Sequence, residues 1–232
     1  MGPSFYTGAA GVIAQQQKIN VIGNNISNVS TEGFKASNAE FSDLLYDVTV
    51  RNEKIIHGLG NKLKKTDTVF GSGILTETKN ENHFAILGEG FFKIHDRTNN
   101  TFRYTRSGTF QLSEFPRAGM FLTTNTGDMV LDENSQYIRV DDPDLMKLPG
   151  IFDFPVKDRM QRIENTSFLP NEINGQEFIN TESELKRGFI ESSNVNLAAE
   201  MSKMIETQRA FTLALKVVNT SDEIEQLSSM LR

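Results

Sequence analysis

Cysteine is absent from this chain, which removes disulfides, thiolate metal sites and thiol nucleophiles together. Tryptophan is absent as well, which weakens any reading that needs an aromatic platform for sugar rings. Histidine is scarce. His57, His83 and His95 are the three in 232 residues, and none stands at a metal-ligand spacing such as H-x-x-x-H. No run of about 18 uninterrupted apolar residues occurs, which argues against a transmembrane helix. The opening Met1-Gly2-Pro3-Ser4-Phe5 has neither the basic start nor the apolar stretch of a cleaved secretory leader, and Tyr6 stands where myristoylation wants Ser or Thr. Positive charge is not in excess either. The net charge is -6 with no basic stripe, so nucleic acid is a poor partner, because phosphate binding needs clustered Lys and Arg.

What the chain does have is two similar ends around a different middle. From Ser4 to Ser30 the one charged residue is Lys18. Phe5, Val12, Ile19 and Ile26 fall there on a strict seven-residue repeat, with Ile22 and Val29 at the following i+3 positions. This is the seam of a helix that packs along another, about 39 Å long at roughly 1.5 Å per residue. The other end, Asn196 to Leu231, carries Leu197, Met201, Met204, Phe211, Leu215 and Val218, then Ile224, Leu227 and Leu231. Glu200/Lys203 and Glu206/Arg209 lie at i,i+3 on its opposite face, and Asn194 or Asn196 caps its start. The stripe slips between Val218 and Ile224, which argues against one straight seam.

Between the ends the period changes to two. Phe102 and Tyr104, then Phe110 and Leu112, alternate with polar residues, and turn signals recur at Gly88-Glu-Gly90, Asp96 to Asn100, Ser107-Gly108 and Asn125-Thr-Gly127-Asp128. The fold class expected is therefore α+β: N- and C-terminal helices paired in coiled-coil fashion, with an antiparallel β-domain inserted between them. The expected boundaries are 1–35 plus 190–232 for a discontinuous helical assembly domain, 36–73 for an extended connector with one short helix or strand, and 74–189 for a β-rich outer domain.

The N-terminal helix is intrinsically poor. Gly8, Gly11 and Gly23 each cost about 0.8–1 kcal/mol relative to Ala. Burying Phe5, Val12, Ile19 and Ile26 returns about 1.5–3 kcal/mol apiece only where a partner surface exists. An ordinary intramolecular helix pair supplies part of that surface. The near absence of charge around the helix points further, to neighbouring subunits, with Gly8 and Gly11 allowing close backbone approach. On that reading the termini fold as the chain polymerises.

Four stretches carry a family resemblance. Asn24-Asn25-Ile26-Ser27-Asn28-Val29-Ser30-Thr31-Glu32-Gly33-Phe34-Lys35 resembles the N-terminal signature of flagellar rod and hook proteins. Physically, Asn side chains serve the open carbonyls of a helix end, and Gly33 suits the left-handed turn that stops it. Gly88-Glu89-Gly90-Phe91-Phe92 resembles the opening of that family's β-domain, and Tyr104-Thr105-Arg106-Ser107-Gly108-Thr109-Phe110 the strand and turn that follow. Leu185 to Val195, continuing through Met204 to Phe211 and Thr220 to Glu223, resembles its C-terminal helix.

The resemblance implies a structural axial subunit, with the terminal helices forming an inner tube and the β-domain lying outside. It implies assembly with copies of itself and with other rod and hook proteins into the basal-body rod that crosses the periplasm, and export by the flagellum's own secretion apparatus. No cofactor, metal or catalytic site is expected. The assembly residues expected are Phe5, Val12, Ile19, Ile26, Met204, Phe211, Leu215 and Val218, with Asn24, Asn25, Asn28, Gly33 and Phe34 setting the helix exit. The alternatives are a hook-type subunit, which normally needs a larger outer domain, and a secreted carbohydrate-active or carbohydrate-binding β-domain.

Other features read more plainly as structure. Asp141-Asp142-Pro143-Asp144 is a solvated turn without EF-hand spacing. His83 and His95 lack a partnering acid–base constellation and read as surface or strand-end residues. Gly88-x-Gly90 precedes a strand rather than opening a helix, so it is no nucleotide loop. The methionines Met201, Met204 and Met230 fall with Phe211 at helical spacing and read as core or subunit seam. Arg106, beside the Gly108 turn, calls for an acidic neighbour that the sequence does not name.

Overall fold

The charge-poor N-terminus forms one helix, α1, over Pro3–Ser27, and the C-terminal stripe forms another, α2, over Leu197–Met230. The computed structural model describes residues 3–43, 47–48, 56–57, 60–115, 119–140, 147–157 and 159–230. Two compact units share the chain: Met1–Ser27, Ser37–Thr68 and Asn196–Arg232 make one, and Asn28–Ala36 and Val69–Val195 make the other.

In the first unit α1 and α2 run antiparallel. Gly8 lies against Val217 and Val218, Gly11 against Ala214, and Asn25 against Glu200. Asn196 caps α2, its Oδ1 accepting the Ala199 N–H at 3.1 Å. Beside the helices, β1 (Ser37–Asp43) pairs antiparallel with β4 (Asn61–Thr68) from Ser37↔Thr68 to Asp43↔Asn61, with a register shift at Glu40/Phe41. Two shorter strands, β2 (Asp47–Val48) and β3 (Ile56–His57), pair antiparallel as well. In the stretch expected to be an extended connector with one short helix or strand, most of the described residues lie in these four strands. Strand β4 reads Asn-Lys-Leu-Lys-Lys-Thr-Asp-Thr, so Leu63 is its one apolar residue and no period-two signal is visible. Ion pairs among exposed Glu40, Lys64 and Lys65 and half-buried Asp67 decorate it instead.

In the second unit the first strands are β5 (Leu75–Glu77), β6 (Phe84–Leu87), β7 (Phe91–Asp96), β8 (Thr101–Thr105), β9 (Gln111–Phe115), β10 (Gly119–Thr123) and β11 (Met129–Val130). They are followed by β12 (Ile151–Asp153), β13 (Gln161–Arg162), β14 (Ser167–Leu169), β15 (Phe178–Ile179), β16 (Glu184–Arg187) and β17 (Phe189–Glu191). One sheet runs β13-β14-β8-β7-β11-β10-β9, with β12 on β7 and β15 on β12. Separately, β16 pairs β6 and β17 pairs β5, all antiparallel.

Strand β7 is buried along its whole length, and its alternation feeds two cores. Phe92 and Ile94 join Phe84, Ile86, Phe110, Leu122, Val130 and Ile138 on one side. Phe91 joins Tyr104, Phe152, Phe154 and Phe168 on the other. The period-two reading of the middle therefore holds, except that Phe102 lies at the sheet margin, half exposed, with the Lys93 ammonium over its ring.

Candidate functional site

The helix seam is narrower than the bulky residues suggest. Phe5, Val12, Ile19 and Ile26 are half-buried, whereas the deepest positions of α1 are Ala14, Ile22 and Asn25. A Cβ on Gly8 would stand 2.9 Å from Val218 Cγ2, and one on Gly11 would stand 4.0 Å from the Ala214 Cβ. A side chain at Gly8 would press on Val218, whereas at Gly11 a Cβ would make ordinary contact, and the bulkier residues of α1 stand half-buried beside this line. On α2 the inward line is Glu200, Met204, Thr207, Phe211, Ala214, Val218 and Ser221, in alternating steps of four and three. Met204, Phe211 and Val218 stand on this inward line. Leu215 does not: it follows Ala214 around the helix and is exposed.

Within the same unit the motif residue Asn25 is buried between three elements. Its Nδ2 donates to Glu200 Oε2 at 3.1 Å and to the Ser37 carbonyl at 2.9 Å, while its Oδ1 accepts the Ser37 N–H at 2.9 Å. Glu200 also receives the Lys203 ammonium at 2.7 Å. Asn24, its neighbour, is exposed.

The rest of the N-terminal motif lies in the β-unit. Asn28 is buried, and its backbone and side-chain oxygens accept from Thr31. Gly33 takes φ +71° and donates its N–H to the Glu191 carbonyl at 2.7 Å. A Cβ there would fall 2.3 Å from the Ser107 nitrogen, so glycine is required twice over. Phe34 is fully buried with the Arg162 guanidinium stacked on its ring, and Arg162 also donates to the Lys35 carbonyl.

These residues lead to a buried cluster that joins all four family-like stretches. Glu191 Oε1 accepts the Lys35 ammonium at 2.6 Å and the Gly73 N–H at 2.6 Å, and Oε2 accepts Arg106 Nε at 2.5 Å. Arg106 Nη1 donates to the Gly90 carbonyl and Nη2 to the carbonyls of Ile86 and Gly88. Lys35 reaches the Gly71 carbonyl at 2.8 Å. Burial alone would raise the Glu191 carboxyl, but Arg106 and Lys35 outweigh it and hold it below the usual carboxylate range. Lys35 moves below the usual lysine range, because burial and the facing Arg106 outweigh its one shared carboxylate. Two cations around one anion make Glu191 firmly ionised and leave Lys35 as the group that yields.

The acidic neighbour that Arg106 calls for is Glu191, 85 residues further along the chain. The Gly88-x-Gly90 pair, set aside as a nucleotide loop, is the carbonyl cradle for this arginine. Asn194, considered as a helix cap, instead accepts the Ala36 N–H at 2.7 Å and donates to the carbonyls of Val69 and Gly71. His83 contacts Thr78 and Asn80, and His95 is buried between Asn100 and Tyr137. Asp141 to Asp144, Leu231 and the His57 side chain lie outside the described residues. Among the described residues no group of His, Asp and Glu is arranged to hold a metal ion, and no helix is long and apolar enough to cross a membrane.

Three family descriptions match in chain order: "Flagella basal body rod protein" over residues 5–35, "Flagellar hook protein FlgE/F/G D1 domain" over 85–151, and "Flagellar basal body rod FlgEFG protein C-terminal" over 186–230. Over the whole of both chains, the sequence is 31% identical to the flagellar basal-body rod protein FlgG of Buchnera aphidicola subsp. Schizaphis graminum. It is 30% identical to the FlgG of Borreliella burgdorferi over 99% of this chain and 98% of that one. It is also 30% identical to the FlgG of Bacillus subtilis over 96% of each.

Proposed function

We propose, from the premise that this chain belongs to the flagellar basal-body rod protein family and is a structural subunit of the rod, that it polymerises through its two terminal helices. Its place is the bacterial flagellum, in association with other flagellar proteins. The observation that supports helix-mediated assembly is the apolar surface the helix pair leaves uncovered. Tyr6 and Ile13 on α1, and Met201, Ile205, Leu213, Val217, Ile224 and Leu227 on α2, are all exposed. Fully burying one such side chain contributes about 1.5–3 kcal/mol, and a monomer rarely leaves so many of them wet. Copies of this chain and neighbouring rod or hook proteins are the surfaces that cover them.

The role is then geometric rather than catalytic. The subunit leaves the cell body through the flagellar export apparatus and forms part of the periplasm-spanning drive shaft. The full-length relatives carry rod names, which disfavours the hook-type and carbohydrate-module alternatives. Within the helical unit, the half-buried Phe5, Val12, Ile19, Ile26, Met204, Phe211 and Val218 contribute to the intramolecular seam and its rims.

The test uses exposed positions, so that folding and assembly separate. The double variant Ile13→Asp/Ile205→Asp should keep wild-type circular dichroism yet fail to enter basal bodies or restore swimming to a strain lacking this chain. Ile19→Asp, half-buried on α1, should likewise leave the β-unit folded and abolish assembly. Normal swimming with the exposed double variant overturns the reading.

A further inference from the structure

Apart from a few polar positions the seam is small or apolar: Gly8, Gly11, Ala14 and Ile22 on α1, and Met204, Phe211, Ala214 and Val218 on α2. Such a seam repeats every seven residues and offers little resistance to sliding by one heptad. Three buried polar residues interrupt it, Asn25, Glu200 and Thr207, and of these Asn25 and Glu200 bond to each other across the helices. We propose that Asn25 and Glu200 specify the register in which the terminal helices meet, and that Asn25 ties strand β1 to that register through Ser37. The inference concerns a single chain and stands independently of how copies assemble.

The chemistry of the node carries this. Asn25 and Glu200 are 1% and 5% exposed, so neither exchanges its partner for water. The Asn25 amide is committed in three directions at once: one N–H to Glu200 Oε2, and a two-point pairing with the N–H and C=O of Ser37, the first residue of β1. A slide by one heptad gives Glu200 the one competing partner on that face, because Lys18 lies seven residues before Asn25. The same slide carries Asn25 past the start of α2, leaving its buried amide a donor without an acceptor across the helices. In the opposite slide Asn25 meets Thr207, whose hydroxyl gives its proton to the Lys203 carbonyl at 2.6 Å and so offers an acceptor alone, and Glu200 passes beyond the end of α1 and loses its partner across the helices. A single buried Asn that selects one alignment among several apolar ones is a known use of such residues in helix pairs.

The absence of native cysteine gives a clean readout in the purified full chain. A Cβ on Gly11 would lie 4.0 Å from that of Ala214, within disulfide range, so Gly11→Cys/Ala214→Cys reports the native register. Gly11→Cys/Thr207→Cys reports the slide toward Lys18. With Asn25 intact, the native pair should cross-link at least about tenfold faster than the slid pair. Asn25→Leu should bring the two rates within about twofold. It should also speed hydrogen exchange at the Ser37 amide by about tenfold, the loss of one hydrogen bond.

A polarity swap guards against mere unfolding. Asn25→Asp alone sets two carboxylates together and should lose the native cross-link. Asn25→Asp/Glu200→Gln restores a donor and an acceptor across the helices and should regain that cross-link. Exclusive native cross-linking in Asn25→Leu overturns the proposal, as does failure of the swap to restore it.

Discussion

Replacing Glu191 by Gln removes one negative charge from between two buried cations and leaves the side-chain shape nearly unchanged. The wild-type carboxylate accepts from Lys35, Gly73 and Arg106 at 2.6, 2.6 and 2.5 Å. A carboxamide has one accepting oxygen, and its NH2 only donates, so at least one of those three donors must face another donor. Both ends of each ion pair are nearly sealed from water, so screening offers little relief. Removing one partner of such a pair costs about 3–5 kcal/mol. For a unit of this size that lowers the melting midpoint by roughly 10–20 °C. Scanning calorimetry of the full chain checks it, with Glu164→Gln as control. Glu164 also pairs with an arginine, Arg103 at 2.8 Å, but is 44% exposed, and its loss should cost about 1 kcal/mol at most. The pH dependence is signed. Because folding depresses the Glu191 pKa, its contribution is in place above the ordinary value near about 4.3 and is lost as pH falls through the folded value. The gap between wild type and Glu191→Gln should therefore narrow in acid. Equal losses in the two variants, or a gap that widens in acid, refute the buried-cluster reasoning.

Gly33→Ala should destabilise the β-unit by at least about 2 kcal/mol in urea titration, because the residue sits at φ +71° and a Cβ would strike the Ser107 backbone. Tyr104 is pushed above the ordinary phenol range, first by burial and then by Glu177. It therefore adds stability that is fully present below about pH 10 and is lost as pH rises beyond it. Ultraviolet titration should show Tyr104 silent until the fold opens, and Tyr104→Phe should delete that late component. Gly8→Leu should wedge the helix pair apart, since even a Cβ there stands 2.9 Å from Val218 Cγ2. The Gly11→Cys/Ala214→Cys cross-link should then form at least about tenfold more slowly, which follows from the narrow disulfide distance window.

The two helices were legible because charge is nearly absent from α1 and because Met204, Phe211 and Val218 repeat every seven residues. Their seam was only half legible. A seven-residue pattern of bulky side chains points to Phe5 and Ile19, whereas Gly8 and Gly11 face Val218 and Ala214 and Phe5 and Ile19 are only half-buried. The signal that would have found the other half is the parallel seven-residue series Glu200, Thr207, Ala214 and Ser221, small or polar at each step. Strand β4 was invisible because its stability is not written as alternating hydrophobicity. The charged cluster was invisible for a different reason. Lys35, Arg106 and Glu191 each fall inside a stretch resembling the family, yet Lys35 and Glu191 are 156 residues apart, and no local pattern encodes their meeting.

The chain passes between its two units at 27/28, 36/37, 68/69 and 195/196. On the β-unit side the last three passages are gripped just before they leave. Lys35 and Ala36 bind Glu191 and Asn194, Gly71 and Gly73 bind Lys35, Glu191 and Asn194, and Val69 donates its N–H to the Ala36 carbonyl at 2.8 Å. A buried ion cluster is an inefficient way to gain stability, since a well-packed apolar core of equal volume often does better. It is an effective way to demand that three remote segments arrive together in one arrangement, because any one missing leaves a buried charge or donor unpaired. Within the β-unit, that demand is met where the family-like stretches converge, at Lys35, Arg106 and Glu191.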